Sequence, residues 1–218
     1  MILVVGDIHE EFKYLNSLIN EKRPSIILQV GDFGYWPEDK GKQEIKNKDT
    51  KIYFCDGNHE DHESLKKLKN NEIQKDVFYM KRGSTLDLPD GRRVLFMGGA
   101  FSHDWRYENL FTGKIEYREP GVDWFPEHEL VTEDNVKNTP DVKIDIVISH
   151  TSPKEFFVMS PKKEKDPSRE NLSYILKKYK PKLWFFGHFH IFKEGFDYDC
   201  KWLCLAHPVS GRRWWVGL

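Results

Sequence analysis

The 218-residue sequence has only three cysteines, Cys55, Cys200 and Cys204, and no CxxC pair. Three thiols cannot all pair within one chain, so a disulfide framework is excluded and the usage points to a reducing compartment, the cytoplasm. No apolar run approaches the roughly 20 residues of a membrane helix. The opening Met1-Ile2-Leu3-Val4-Val5-Gly6-Asp7 lacks a basic lead, and its apolar stretch is too short for a secretory signal. A surplus of positive charge is missing too: 34 Lys and Arg stand against 35 Asp and Glu, for a formal net charge of −1. Dedicated binding of duplex nucleic acid is therefore not expected, and neither is a membrane. With no internal repeat, no low-complexity tract and no second composition regime, residues 1–218 read as one domain.

Aromatic residues are plentiful, at 14% with 7 Trp and 15 Phe, which excludes intrinsic disorder. A chain of this length buries roughly 70–75% of its unfolded surface and needs no staples. Short apolar runs alternate with helical spacing, the pattern of an α/β fold. Strands are expected at Ile2 to Val5, Ile26 to Val30, Ile52 to Cys55, Val94 to Met97, Ile144 to Ser149 and Leu183 to Phe186. Phe12, Leu15, Leu18 and Ile19 mark a helix closed by Pro24. Leu65 and Leu68 mark a short one, and Leu172, Ile175, Leu176 and Tyr179 a third. The Asp90-Gly91 turn reads as a hairpin. Pro161 to Arg169 reads as a charged loop, and Trp214-Trp215 as a closing strand with one ring buried. Cys200 and Cys204, set among Trp202, Leu203 and Leu205, read as core packing.

Residues 100–141 are irregular, aromatic and acidic, with a net charge of −6 from Asp104 to Asp145. This stretch reads as an insertion packed over one end of the sheet, a candidate lid. Lys154 to Lys182 carries +5 and reads as solvated surface. Trp36, Trp105 and Trp124 read as core or lid packing before nucleobase stacking.

One regularity carries the chemistry. Polar, ligand-type residues follow directly on apolar runs five times: Gly6-Asp7-Ile8-His9, Gly31-Asp32, Gly57-Asn58-His59-Glu60, Ser149-His150 and Gly187-His188-Phe189-His190. In an open α/β sheet the carboxyl ends of the strands share one edge, so these groups converge. Asp7 and His9, like His188 and His190, stand at i and i+2, which on extended chain places both on one side. Five of the nine histidines lie in these motifs, and burying so many titratable groups together is costly unless cations compensate them. Carboxylate, amide and imidazole donors without thiolate suit Mn²⁺, Fe or Zn²⁺ better than Ca²⁺. A centre of two divalent cations, Mn²⁺ foremost, is the expectation.

In this order the motifs GDIH, GD, GNHE, H and GHFH resemble those of the calcineurin-like metallophosphoesterase superfamily, from residue 6 to residue 190. The resemblance implies a four-layer α/β/β/α sandwich. Carried over by position, Asp7, His9, Asp32 and His190 would hold one metal. Asp32 would bridge to a second, completed by Asn58, His150 and His188. The implied activity is hydrolysis of a phosphomonoester or phosphodiester, on nucleotide-like small substrates among others, by a metal-bridging hydroxide. His59 takes the place of the family histidine that protonates the leaving group or contacts the phosphate.

The phosphoprotein-phosphatase branch continues its second motif as GDxxDR, where the Asp orients that histidine and the Arg binds phosphate. Here the chain reads Gly31-Asp32-Phe33-Gly34-Tyr35-Trp36 and lacks both. The stretch from Gly98 to Arg106 resembles one in small bacterial and phage members. It leads us to expect His103 and Arg106 to face the metals and substrate beside Asn58, with anchoring of the insertion as their alternative role. His62, His128 and His207 receive no role. A protein Ser/Thr phosphatase and a non-catalytic scaffold on the same fold are the alternative functions. Oligomeric state has no signature in the motifs.

Overall fold

A computed structural model describes residues 1–38, 44–109, 112–159 and 165–218. In chain order its elements are β1 (Ile2–Val5), α1 (Phe12–Lys22), β2 (Ile26–Gln29), β3 (Lys51–Phe54), α2 (His62–Lys67), β4 (Glu72–Gln74), β5 (Val77–Tyr79), β6 (Thr85–Asp87) and β7 (Arg93–Met97). They continue with β8 (Arg106–Glu108), β9 (Ile115–Tyr117), α3 (Glu133–Lys137), β10 (Ile146–Ser149), α4 (Pro167–Tyr179), β11 (Leu183–Phe186), β12 (Lys193–Asp197), β13 (Cys200–Cys204) and β14 (Trp215–Gly217).

The described residues build two six-stranded mixed sheets, ordered β14-β1-β2-β3-β5-β4 and β12-β13-β11-β10-β7-β6, and a separate β8-β9 hairpin. The inner strands of each sheet run parallel, and the outermost strand on either side is antiparallel. Side chains alternate across a strand, and this period of two sorts the core into three layers. Val4, Leu28, Phe96, Ile148, Phe185 and Leu203 meet between the sheets. Their neighbours Leu3, Val5, Ile27, Ile52 and Phe54 point outward onto α1. On the far side Leu95, Val147, Trp184, Phe186 and Trp202 point outward onto α4. A helix layer, two sheets and a second helix layer give the expected α/β/β/α order.

The helices start and stop for local reasons. The buried face of α1 is Phe12, Leu15, Leu18 and Ile19, and its end is fixed by Arg23 in the left-handed region, with Pro24 next. Asp166 caps α4 by accepting from the Arg169 N–H, with Pro167 at the first position. Helix thus occupies Pro167 to Arg169, where a loop is expected from the charged composition; residues 161–164 of that expected loop lie outside the described residues. The strands β4, β12 and β13 have no counterpart among the expected strands, because their solvent-facing charges (Glu72, Glu194, Lys201) interrupt the apolar runs, and neither does β5, whose apolar run is only three residues long. Trp214 and Trp215 are both half-buried instead of one being sunk. Cys200 and Cys204 are buried in the outer core, as expected.

This topology places the site. The five motifs follow β1, β2, β3, β10 and β11, all parallel strands, so their first polar residues emerge along one edge where the two sheets face each other.

Candidate metal centre

The first group of converging donors comes from β1, β2 and β11. One ligand-type atom each of Asp7, His9, Asp32 and His190 lies within 4.8 Å of all the others. The His9 Nε2 is 3.2 Å from Asp32 Oδ2 and 3.0 Å from the His190 Nε2, which in turn is 3.3 Å from Asp7 Oδ2. Asp7 and Asp32 are fully buried, whereas His190 is half-exposed and opens the group to solvent.

A second group stands beside it. Asn58 Oδ1 lies 3.0 Å from both the His150 Nε2 and the His188 Nδ1. The His150 Nε2 is also 3.2 Å from Asp32 Oδ2, the same oxygen that faces His9. One carboxylate oxygen is therefore common to both groups. The other Asp32 oxygen accepts the backbone N–H of His59 at 2.8 Å, which fixes the carboxylate plane. The His150 Nδ1 faces the Val30 carbonyl at 3.0 Å; donating its proton there leaves Nε2 with a free lone pair toward the cluster.

The backbone departs from expectation here. His9, Asp32, His188 and His190 all have φ between 45° and 66°, so neither His188 and His190 nor Asp7 and His9 sit on extended chain. The strands end at Val5 and Phe186, and the chain must fold back sharply over the sheet edge. His188 and His190 still divide between the two groups, as their spacing suggested. Two glycines make room: a Cβ on Gly187 would sit 1.8 Å from Asp7 Oδ1, and one on Gly57 would sit 2.0 Å from Asp32 Oδ1.

The donor set fits divalent cations. With bonds of about 2.1 Å, neighbouring donors around an octahedral ion stand about 3.0 Å apart, and the contacts above run from 3.0 to 3.3 Å. Asp7 Oδ1 is buried with no hydrogen-bond partner, and two imidazole Nε2 atoms 3.0 Å apart repel unless a proton or cation lies between them. The charge balance agrees. Burial opposes a charge on His150, yet Asp32 prevails and moves that ring up to about 9. Burial carries His9 down to about 4, and burial with the neighbouring His150 carries His188 down to about 3. Two of the three rings are thus held neutral, as imidazole ligands to a cation must be, while Asp32 draws charge onto the third.

Beyond the donors, His59 Nε2 contacts Asp104 Oδ2 at 3.1 Å, and the Arg118 Nη1 donates to Asp104 Oδ1 at 3.1 Å. Burial acts against a charge on His59, but Asp32 and Asp104 outweigh it and hold the ring above its ordinary value. An Asp and an Arg thus stand beside this histidine although the second motif lacks them; both come from the insertion. Arg118 also donates to the Asn58 carbonyl at 3.2 Å. Its sequence signal is weak, but that of Asp104 is not. Strand β7 runs parallel to β10 and ends in Gly98-Gly99, with Ser102, His103 and Asp104 a few residues on. That is the strand-then-glycine pattern of four of the five motifs with a longer tether.

His103 lines a cavity of about 680 Å³ together with Asp32, Asn58, His59 and His188, and its Nε2 is 3.7 Å from Asp166 Oδ2. Arg106 is different. It is exposed on β8 and lines neither this cavity nor the one of about 430 Å³ on the other side of His59; the guanidinium that reaches the donors is that of Arg118. His207, assigned no role from the sequence, has its ring 5.2 Å from that of His9 and 5.6 Å from that of His190. Trp105 and Trp124 stack on each other at 5.8 Å, and Trp36 packs on Phe125 at 6.4 Å, the packing role expected of them.

The insertion is bolted down at its far end. Arg82 donates to Asp56 through Nε at 3.0 Å and Nη2 at 2.5 Å, and also to the carbonyls of His128, Glu129 and Leu130. His62 lies 3.9 Å from the same Asp56, and His128 is 2.9 Å from Glu63. No helix among the described residues is long and apolar enough to cross a membrane.

Comparison with known proteins places this geometry. A family model described as calcineurin-like phosphoesterase matches residues 1–192. No curated protein sequence matches the chain. One crystal structure shares the two-sheet α/β fold with a TM-score of 0.53 at 15% identity, over 96% of this chain and 91% of that one. A putative 5'-nucleotidase from Staphylococcus aureus gives a TM-score of 0.48 at 12% identity, over 94% of this chain and 48% of that one. Vps29 of Entamoeba histolytica, complexed with zinc, gives 0.40 at 12%, over 97% and 80%. Since the family match takes in every strand end that supplies a donor, the chain belongs to the calcineurin-like phosphoesterase family.

Proposed function

We propose that this protein is a hydrolase of small phosphomonoesters or phosphodiesters that works with two divalent cations, Mn²⁺ foremost. The observation that carries the reading is Asp32 Oδ2, 3.2 Å from His9 Nε2 on one side and 3.2 Å from His150 Nε2 on the other. Asp7, His9, Asp32 and His190 would hold one cation; Asp32, Asn58, His150 and His188 would hold the other. Bound there, two cations supply Lewis acidity and a nucleophilic water of lowered pKa near neutral pH.

The chain's own residues do the rest. Asp104 orients the His59 ring and favours its protonated form, so His59 can deliver a proton to the departing alkoxide or hydrogen-bond the phosphoryl group. Arg118 holds Asp104 in place. The cavity of about 680 Å³ has the size of a small-ligand site, and Phe157, Met159 and Phe189 in its wall offer apolar surface to the organic part of the ester. His103, in the same wall, would contact substrate. The insertion puts His103 and Asp104 into the wall of this cavity and Tyr107, Arg118 and Asp123 into the wall of the neighbouring one, its far end fixed by Arg82.

The test is metal analysis of the purified protein, followed by Mn²⁺-supported turnover of a mono- and a bis-nitrophenyl phosphate side by side. Preference for the diester marks a phosphodiesterase and preference for the monoester a phosphatase. Turnover of neither by the Mn²⁺-loaded protein would refute the enzymatic reading in favour of a scaffold.

A further inference from the structure

Asn58 contributes a primary amide to the second donor group, and only one of its two ends can serve there. The oxygen has lone pairs; the NH₂ has two donors and nothing to offer a cation. As placed, Oδ1 faces His150 and His188 at 3.0 Å each, and Nδ2 donates to Ser102 Oγ at 3.0 Å. The two ends have nearly the same shape, so the neighbours decide which way round the amide stands.

Ser102 Oγ has one hydrogen and two lone pairs. Its hydrogen goes to Glu129 Oε2 at 2.9 Å, while the other Glu129 oxygen accepts the Ser102 N–H at 3.0 Å and the Trp124 Nε1–H at 3.3 Å. One lone pair accepts from the Arg118 Nη1 at 2.8 Å, a group that can only donate. What remains on Ser102 is a single lone pair, which only a donor can meet. The Asn58 NH₂ satisfies it; a flipped amide would set oxygen against oxygen in a place sealed from water, since Ser102, Glu129 and Asn58 are each at most 2% exposed. A buried mismatch of this kind leaves both oxygens without a donor, which the native orientation avoids.

We propose that Ser102, oriented by Glu129 and Arg118, is a positioning residue that keys the Asn58 amide with its oxygen toward the second cation site. The insertion then completes the centre rather than only lining the cavities beside it. This inference rests on the two-cation reading above.

Calorimetric titration of EDTA-stripped protein with Mn²⁺ tests it, on wild type, Ser102→Ala, Ser102→Thr and Glu129→Gln, with the melting point of each stripped form measured alongside. Wild type is expected to bind two ions. Ser102→Ala should keep the first and bind the second about 10–100-fold more weakly, the usual loss for an outer-shell partner. Ser102→Thr, which retains the hydroxyl, should restore the second site. If Ser102→Ala does not fold, Glu129→Gln, which removes one of the two carboxylate acceptors, should show the same selective loss. Fewer than two ions on wild type would overturn the two-cation reading and the keying with it. Two ions on wild type with an unchanged second site in the variants, or a Thr variant as weak as Ala, would overturn the keying alone.

Discussion

Substituting Gly187 by alanine isolates the contact between β11's terminal loop and the first donor group. The added Cβ would stand 1.8 Å from Asp7 Oδ1 and 2.9 Å from Val30 Cγ2, where real Cβ contacts essentially never fall below 3.0 Å. Something must therefore move by about 1.2 Å. Asp7 cannot simply withdraw, because its other oxygen accepts the N–H of His188 at 2.8 Å, the residue next to the substitution. Either the carboxylate rotates off the donor group or the loop bearing His188 and His190 lifts. Metal sites tolerate about 0.2 Å in ligand distance, and misplacements near 1 Å cost about 100-fold in function. Overpacking costs the fold about 1–3 kcal/mol, or roughly 2–4 °C in melting point for each kcal/mol at this chain length. Gly187→Ala should thus be folded when stripped of metal, bind Mn²⁺ about 100-fold more weakly and lose turnover in step. A folded variant with wild-type Mn²⁺ affinity and turnover would refute the argument that this glycine makes room for the carboxylate.

The other expectations concern single side chains. Asp32→Asn, which weakens the one oxygen common to both groups, should abolish metal loading and turnover; wild-type activity in that variant would sink the shared-ligand assignment. Asp104→Asn should slow an ester with a poor leaving group, such as phenyl phosphate, by about 100-fold and spare the nitrophenyl ester, which leaves without a proton. Equal losses on both would contradict proton delivery by His59. Arg82→Met strands the buried Asp56 charge and should cost about 3–5 kcal/mol in urea unfolding. Burial favours the neutral acid at Asp56, but Arg82 prevails and holds it below the ordinary carboxylate value. Its stabilisation is therefore present above the unfolded value near 4 and fades as pH falls through the folded one, an acid limb that Arg82→Met should lack. His62 behaves in the opposite chemical sense, since burial moves its ring from 6.5 down to about 4. Between those values the unfolded chain takes up a proton that the folded one refuses, so stability falls with falling pH, by up to about 3 kcal/mol. His62→Leu should flatten that slope in metal-stripped protein.

Most of what converges on the donor groups was legible in one dimension. A buried parallel strand is a near-continuous apolar run, and the residue following it has nowhere to be except the shared edge; hence Asp7, Asp32, Asn58, His150 and His188 stood out. The sorting of side chains between the sheets and under the helices followed from the same period of two. Arg118 and Glu129 did not stand out, because they sit on an irregular segment with no periodicity, and Ser102 and Asp104 did not because a longer tether separates them from the glycines after β7. Their importance comes from contacts 14 to 60 residues away along the chain. Arg106, one turn of the hairpin away from Arg118 and carrying the same charge, was the wrong choice for a physical reason: at β8↔β9 register Arg106 pairs with Tyr117 on an exposed ribbon, whereas Arg118 lies just past it and turns inward to the Asn58 carbonyl. The i and i+2 geometry also missed the left-handed turns that place His188 and His190.

Those turns have an evolutionary consequence. Each non-glycine residue in the left-handed region costs about 1–2 kcal/mol relative to ordinary backbone, and His9, Asp32, His188 and His190 all occupy it. Glycine or asparagine at any of the four would relax the loop and raise the melting point of the metal-free chain. A lineage released from chemistry would drift that way quickly, because every step would be rewarded by stability and opposed by nothing. A chain that holds three histidine imidazoles and a carboxylate at such backbone angles carries a standing cost, which cations bound by those same side chains would offset.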